Sequence, residues 1–144
     1  MSTTAARELE RTRPYSVLLE TIRQNAQTVH VMPAYNVKRI ADVTTARPGL
    51  FLFNHFVAAN REVLLRLWDY LAEWYVVETG LDNSVALAPM EGAPSAYAIV
   101  NWARWDVGPL RHFWHSLSKR TFWRYVTANL ANRAASITIY CRLA

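Results

Sequence analysis

Eight consecutive residues, Leu50-Phe51-Leu52-Phe53-Asn54-His55-Phe56-Val57, constrain the fold of this chain more than any other stretch. They contain neither glycine nor proline, are rich in aromatic and aliphatic side chains, and read as a β-strand. Side chains on a strand alternate between two faces, yet the first four residues are apolar at every position. Such a strand needs cover on both sides. Alternation places Leu52, Asn54 and Phe56 on one face and Phe53, His55 and Val57 on the other.

The residues that follow supply that cover. Asn60 suits the N-cap of a helix in which Leu64, Leu67, Trp68, Leu71, Trp74 and Tyr75 recur with the 3.6-residue period, and Gly80 suits its C′ stop. Ser84 to Ala88 reads as a strand, Pro89 to Pro94 as a loop, and Tyr97 to Trp105 as a second long strand with Tyr97, Ile99, Asn101, Ala103 and Trp105 on one face. Asp106 offers an N-cap to a second helix, with Pro109 in its first turn and Leu110, Phe113, Trp114 and Leu117 as an apolar stripe. A further turn carries Phe122, Tyr125, Val126 and Leu130, and Ala135 to Leu143 closes the chain as a strand. From Leu50 the order is strand, helix, strand, strand, helix, strand. That order predicts an α+β, ferredoxin-like βαββαβ domain with both helices on one face of an antiparallel sheet. The bare face, apolar as well, predicts a homodimer that buries it against a second copy.

Residues 1–48 are expected to form an extension to the domain at 49–144. Within it, 1–13 are polar and predict a flexible arm. A short helix is expected from Ser16 as N-cap to about Gln24, with Val17, Leu18 and Ile22 on one side. Thr28 to Met32 reads as a short strand stopped by Pro33, and Asp42 to Pro48 as a connector. A chain of 144 residues, 52% of them hydrophobic, suffices for one domain core without disulfides or metal. Cys141 is the single cysteine and offers neither bridge nor ligand cluster. With 4 glycines, neither a P-loop nor a GxGxxG fingerprint can be written, and no GxSxG elbow, HExxH pair or converging carboxylate pair occurs. No apolar run approaches the ~20 residues that cross a bilayer, and the N-terminus lacks a signal-peptide core. A cytoplasmic protein without a membrane partner is expected.

The net charge of +5 is unevenly spread. Residues 1–48 hold seven bases and four acids, 49–103 two bases and six acids, and 104–144 seven bases against Asp106 alone. Lys119, Arg120 and Arg124, interleaved with Trp123 and Tyr125, are the residue types that track phosphates. They are too few and too scattered for a nucleic-acid partner, which is not expected.

The stretch from Leu52 to Val57, the helix bearing Leu67-Trp68, and Val100-Asn101-Trp102-Ala103-Arg104-Trp105 followed by a helix resemble the antibiotic biosynthesis monooxygenase family, over about residues 50–143. The resemblance implies a dimeric α+β barrel. It further implies oxidation of a hydrophobic polycyclic phenol or anthrone-like substrate by dioxygen with no cofactor. A haem-degrading branch of the family uses an Asn, a Trp and a His. Asn54 and Trp114 resemble the first two, but the region from Arg124 to Ala128 holds no His, so haem is disfavoured. The expected catalytic pair is Asn54 and Trp114, looking into one cavity between sheet and helices. Phe56, Trp68, Tyr97, Asn101, Trp105 and His115 are the expected substrate-binding residues. Two other readings stay open: a non-enzymatic ligand-binding or stress-response module, and a polyketide cyclase or isomerase.

Overall fold

A computed structural model describes residues 3–127 and 135–142. The chain begins with helices α1 (Thr3–Glu10) and α2 (Arg13–Asn25), followed by strands β1 (Ala34–Arg39) and β2 (Leu50–Val57), and helix α3 (Arg61–Thr79). Strands β3 (Ser84–Pro89) and β4 (Ile99–Trp105), helix α4 (Pro109–Leu117), a π-helical turn (Phe122–Thr127) and strand β5 (Ala135–Arg142) complete it. One antiparallel sheet has the order β1-β3-β4-β2-β5. The last four of these are the strands expected from the sequence, in an arrangement compatible with a ferredoxin-like fold.

The N-terminal 48 residues depart most from expectation. Where a flexible arm was expected, α1 forms, and α2 starts before Ser16 because Thr12 caps it through the Tyr15 backbone N–H. Ser16 instead bonds back to the Arg13 carbonyl. The strand lies beyond Pro33 rather than before it: β1 pairs with β3 from Ala34↔Pro89 to Arg39↔Val85, with a bulge between Asn36 and Lys38. The extension thus supplies a fifth strand. Lys38 pairs with Asp69 of α3, tying that strand to the helix layer.

Helix α3 forms as its sequence dictates. Asn60 Oδ1 accepts from the Val63 N–H at 3.1 Å, and Gly80 closes the helix at φ 68°, a left-handed conformation that favours glycine. Its buried face, Leu64, Leu67, Leu71 and Trp74, packs on Phe56, Ala86 and Ile99 of the sheet and on Val126 of the π-helical turn. A second cluster joins Leu52, Leu81, Ala103 and Trp105, with Ile40, Tyr75, Val107 and Tyr140 against it. Both clusters lie on one face of the sheet, so the helices cover that face.

The opposite face carries Phe53, His55 and Val57 of β2, Trp102 and Arg104 of β4, and Ile137, Ile139 and Cys141 of β5. Phe53 stacks on Trp102 at 5.8 Å. Arg104 is buried, its guanidinium bonding to the Pro48 carbonyl at 2.9 Å and pairing with Asp106. Gly49 lies against it: a Cβ there would sit 2.7 Å from the Trp105 carbonyl oxygen and 2.9 Å from Arg104 Nε. Among the described residues no helix is long and apolar enough to cross a membrane.

Candidate functional site

The register of the sheet fixes which polar groups meet beneath the helices. Asn54 of β2 stands opposite Asn101 of β4 on one side and Thr138 of β5 on the other, all on the helix-covered face. The Asn101 side-chain oxygen accepts from Trp68 Nε1 at 2.7 Å and from Ser84 Oγ at 2.8 Å. Asn54 Oδ1 accepts from the Thr138 hydroxyl. A polar strip therefore crosses the sheet between the two apolar clusters, and Trp68 Nε1 and Asn101 Oδ1, on two residues expected to hold substrate, are bonded to one another.

The most perturbed groups lie beside this strip, on α4 and its neighbours. Pro109 starts α4 without a side-chain cap at Gly108, because Asp106, the expected cap, is drawn to Arg104. The helix then sets His112 inward, 4% exposed, with its ring 4.4 Å from Trp105 and 6.0 Å from Tyr140. Phe113 packs on Tyr140 at 4.9 Å. Trp105 donates through Nε1 to Thr79 Oγ1 at 3.2 Å and lies 5.9 Å from Tyr75. Among the described residues no partner takes up a ring nitrogen of His112. Burial among aromatic faces holds its pKa below the usual histidine value, and the nearby His115 lowers it further. Burial also pushes the phenols of Tyr75 and Tyr140 up, Tyr140 adding to the effect on Tyr75. At neutral pH this is a neutral imidazole with two un-ionised phenols nearby, a set able to accept and return a proton.

This constellation differs from the expected one. Trp114 is 79% exposed on the outer side of α4, so it does not look into a closed cavity with Asn54: the helix turns His112 and Ser116 inward and carries Trp114 out. His115 is exposed as well. Phe56 is buried in the cluster under α3. Tyr97 precedes the start of β4 and falls out of its alternation, so it does not share a face with Asn101; it packs on His55 at 4.9 Å and His30 at 5.7 Å. Trp105 is the expected site residue that does meet the His112 group. Tyr75 is legible in the sequence only as a member of the α3 stripe and Tyr140 only as a strand residue, and His112 stands outside the apolar stripe of its helix. What marks them is convergence across α3, α4 and β5, which lies beyond local sequence pattern.

The described residues contain other depressions. An open cleft of about 1160 Å³ lies between Arg7, Tyr35, Arg61 and the Met90–Ala98 segment. A void of about 10 Å³ is enclosed by Phe56, Leu64, Leu67, Trp68, Leu71 and Ile99, too small for any organic ligand. Among the described residues no group of three His, Cys, Asp or Glu side chains is placed to hold a metal ion. Comparison with protein-family models, with curated proteins and with solved structures returns no match in any of the three.

Proposed function

We propose that this chain is a proton-abstracting enzyme of the cofactor-independent oxygenase type, acting on a hydrophobic aromatic hydroxyl compound of the anthrone or polycyclic phenol class. The observation that carries the reading is His112: a buried imidazole whose pKa is held down, with no partner for its ring nitrogens among the described residues, packed against Trp105, Tyr140 and Phe113. Flat aromatic side chains receive a flat aromatic ligand, and a neutral imidazole with a lowered pKa accepts its proton. Asn54 lies one step along the same face, since Thr138 opposite it and Tyr140 alternate on β5, a spacing of ~7 Å. Its amide oxygen is taken by Thr138, which turns the amide nitrogen into a donor for the developing oxyanion. The resulting carbanion reacts with dioxygen: a ring methylene becomes a carbonyl, one oxygen atom enters the product and the other leaves as water.

The same reading includes a homodimer through the face of the sheet opposite the helices. Ile137 at 56% and Ile139 at 49% exposure stand there beside the Phe53–Trp102 stack. His55 Nδ1, Trp102 Nε1 and Arg104 Nε are buried there without a hydrogen-bond partner among the described residues. A second copy on that face would cover the isoleucines.

The test is oxygen uptake by purified protein given anthrone. The proposal expects uptake matched by quinone formation, and a loss of about 10²-fold or more on His112→Ala, the usual contribution of a general base. Turnover to a cyclised or isomerised product without oxygen uptake would move the protein to the isomerase class. Anthrone binding by tryptophan quenching with no turnover would leave a binding module. An unchanged rate in His112→Ala would remove the base.

A further inference from the structure

Helix α4 is mounted with its polar side inward. Its buried residues are His112 and Ser116, four apart, while Leu110 at 86% and Trp114 at 79% exposure project outward with Leu117 and, partly, Phe113. Positions 110, 114 and 117 form one line along a helix. Trp123 extends that line beyond the helix end, its indole N–H donating to the Leu117 carbonyl at 3.3 Å, and is itself more than half exposed. A soluble surface seldom gathers so many large apolar side chains in one ridge.

Charge indicates what the ridge meets. Arg111 and His115 flank Leu110 and Trp114 on α4, and Arg120 and Arg124 are exposed beside Leu117 and Trp123. Lys119 is paired with Glu78 at 3.1 Å, and the Arg124 guanidinium lies 5.7 Å from the Tyr125 ring centroid. From Val107 to the end of the chain the sequence contains no acid. The ridge is rich in tryptophan and leucine, and it is bordered by arginine. Those are the properties of a helix that lies in the headgroup layer of an anionic membrane.

We propose that α4 and the following turn form a peripheral docking surface for an anionic lipid bilayer, with Leu110, Trp114, Leu117 and Trp123 entering the interface and Arg111, Arg120 and Arg124 binding lipid phosphates. The surface lies on the outer side of the helix whose inner side holds His112. Docking there brings the candidate active site next to a reservoir of hydrophobic aromatic compounds.

The full chain is mixed with vesicles of phosphatidylcholine containing about a third phosphatidylglycerol, and bound protein is measured by sedimentation. The expected results are binding to these vesicles, at least about tenfold weaker binding to pure phosphatidylcholine, and a blue shift of tryptophan emission that Trp114→Ser diminishes. Leu110→Ser/Trp114→Ser/Leu117→Ser, all at exposed positions and so compatible with an unchanged circular dichroism spectrum, should weaken binding by about tenfold or more. Arg111→Gln/Arg120→Gln/Arg124→Gln should do the same at low salt and lose its effect near 0.5 M salt, where the Debye length is only about 4 Å. Absence of binding to the anionic vesicles overturns the proposal. So does binding that the three serine substitutions leave unchanged, which would be non-specific attraction of a basic protein. Concentration-dependent self-association abolished by the serine variant, without vesicle binding, would assign the ridge to a second copy and equally overturn it.

Discussion

Replacing Asn101 by Leu tests whether the polar strip under α3 is structural. The substitution keeps approximate volume and removes the one oxygen that accepts from both Trp68 Nε1 and Ser84 Oγ. Ser84 is 2% exposed and retains a weaker bond to the Trp102 carbonyl at 3.3 Å, so its loss is partial. The Trp68 indole is only partly buried and has no second acceptor among the described residues. Two lost hydrogen bonds contribute about 1 kcal/mol each, and an orphaned indole N–H adds about 1–2 kcal/mol of uncompensated desolvation. The expected destabilisation is thus about 2–4 kcal/mol. For a chain of this length that lowers Tm by about 5–15 °C. Urea denaturation followed by tryptophan fluorescence gives the free energy directly, and the paired variant Trp68→Phe/Asn101→Leu should recover part of it, because the orphaned donor is gone. A single variant within about 0.5 kcal/mol of the parent would show that the two bonds carry no net stability and would refute the reasoning.

Other perturbations probe other parts of the fold. Gly49→Ala should destabilise by about 1–3 kcal/mol in the same assay, because a methyl 2.7 Å from a backbone carbonyl forces the β2 entry to shift, outweighing the entropy gained by removing glycine. His112 is held below its ordinary pKa, so the unfolded chain binds the proton more readily. Stability should be complete above about pH 6.5, decline as the pH falls through the folded-state value, and decline less in His112→Gln when thermal melts are compared across pH. Tyr75 and Tyr140 are shifted the other way, so the stability they confer should hold below about pH 10 and fall above it. Tyr75→Phe should flatten that alkaline limb. Asn60→Ala should cost about 1 kcal/mol by removing the α3 cap, seen as a lower urea midpoint at unchanged m-value.

The sequence made the sheet legible because its signals there are local. The apolar run at Leu50–Val57, the Asn60 and Gly80 caps and the 3.6-residue period of α3 are each contained in one element, and each appears where expected. The errors arose where a neighbour decided the outcome. Asp106 has the chemistry of an N-cap, but the buried Arg104 claims it. Leu110, Trp114 and Leu117 have the spacing of a core-facing stripe, yet α4 docks by His112 and Ser116 because Trp105 and Tyr140 offer His112 an aromatic bed. Periodicity reports that a helix has two sides; it does not report which side a protein keeps for itself. Of the candidate site, strand alternation places Asn54 and Trp105 on one face and the family resemblance implies their roles, whereas the His112–Tyr75–Tyr140 convergence depends on three elements meeting and leaves no mark in any one of them.

The bulge in β1 has a consequence for how this protein behaves in company. An outermost strand is an open invitation for another chain to hydrogen-bond alongside, and unbroken flat ones seed fibrils. At this rim the extra residue at Val37 breaks the regular ladder that an incoming strand would have to match. The opposite rim, β5, has neither kink nor lysine, and its Ile137 and Ile139 are open to water. Accretion, if the protein is overproduced or heated, should therefore proceed from the C-terminal margin alone, and a lysine placed there would suppress it more effectively than any change at the N-terminal one.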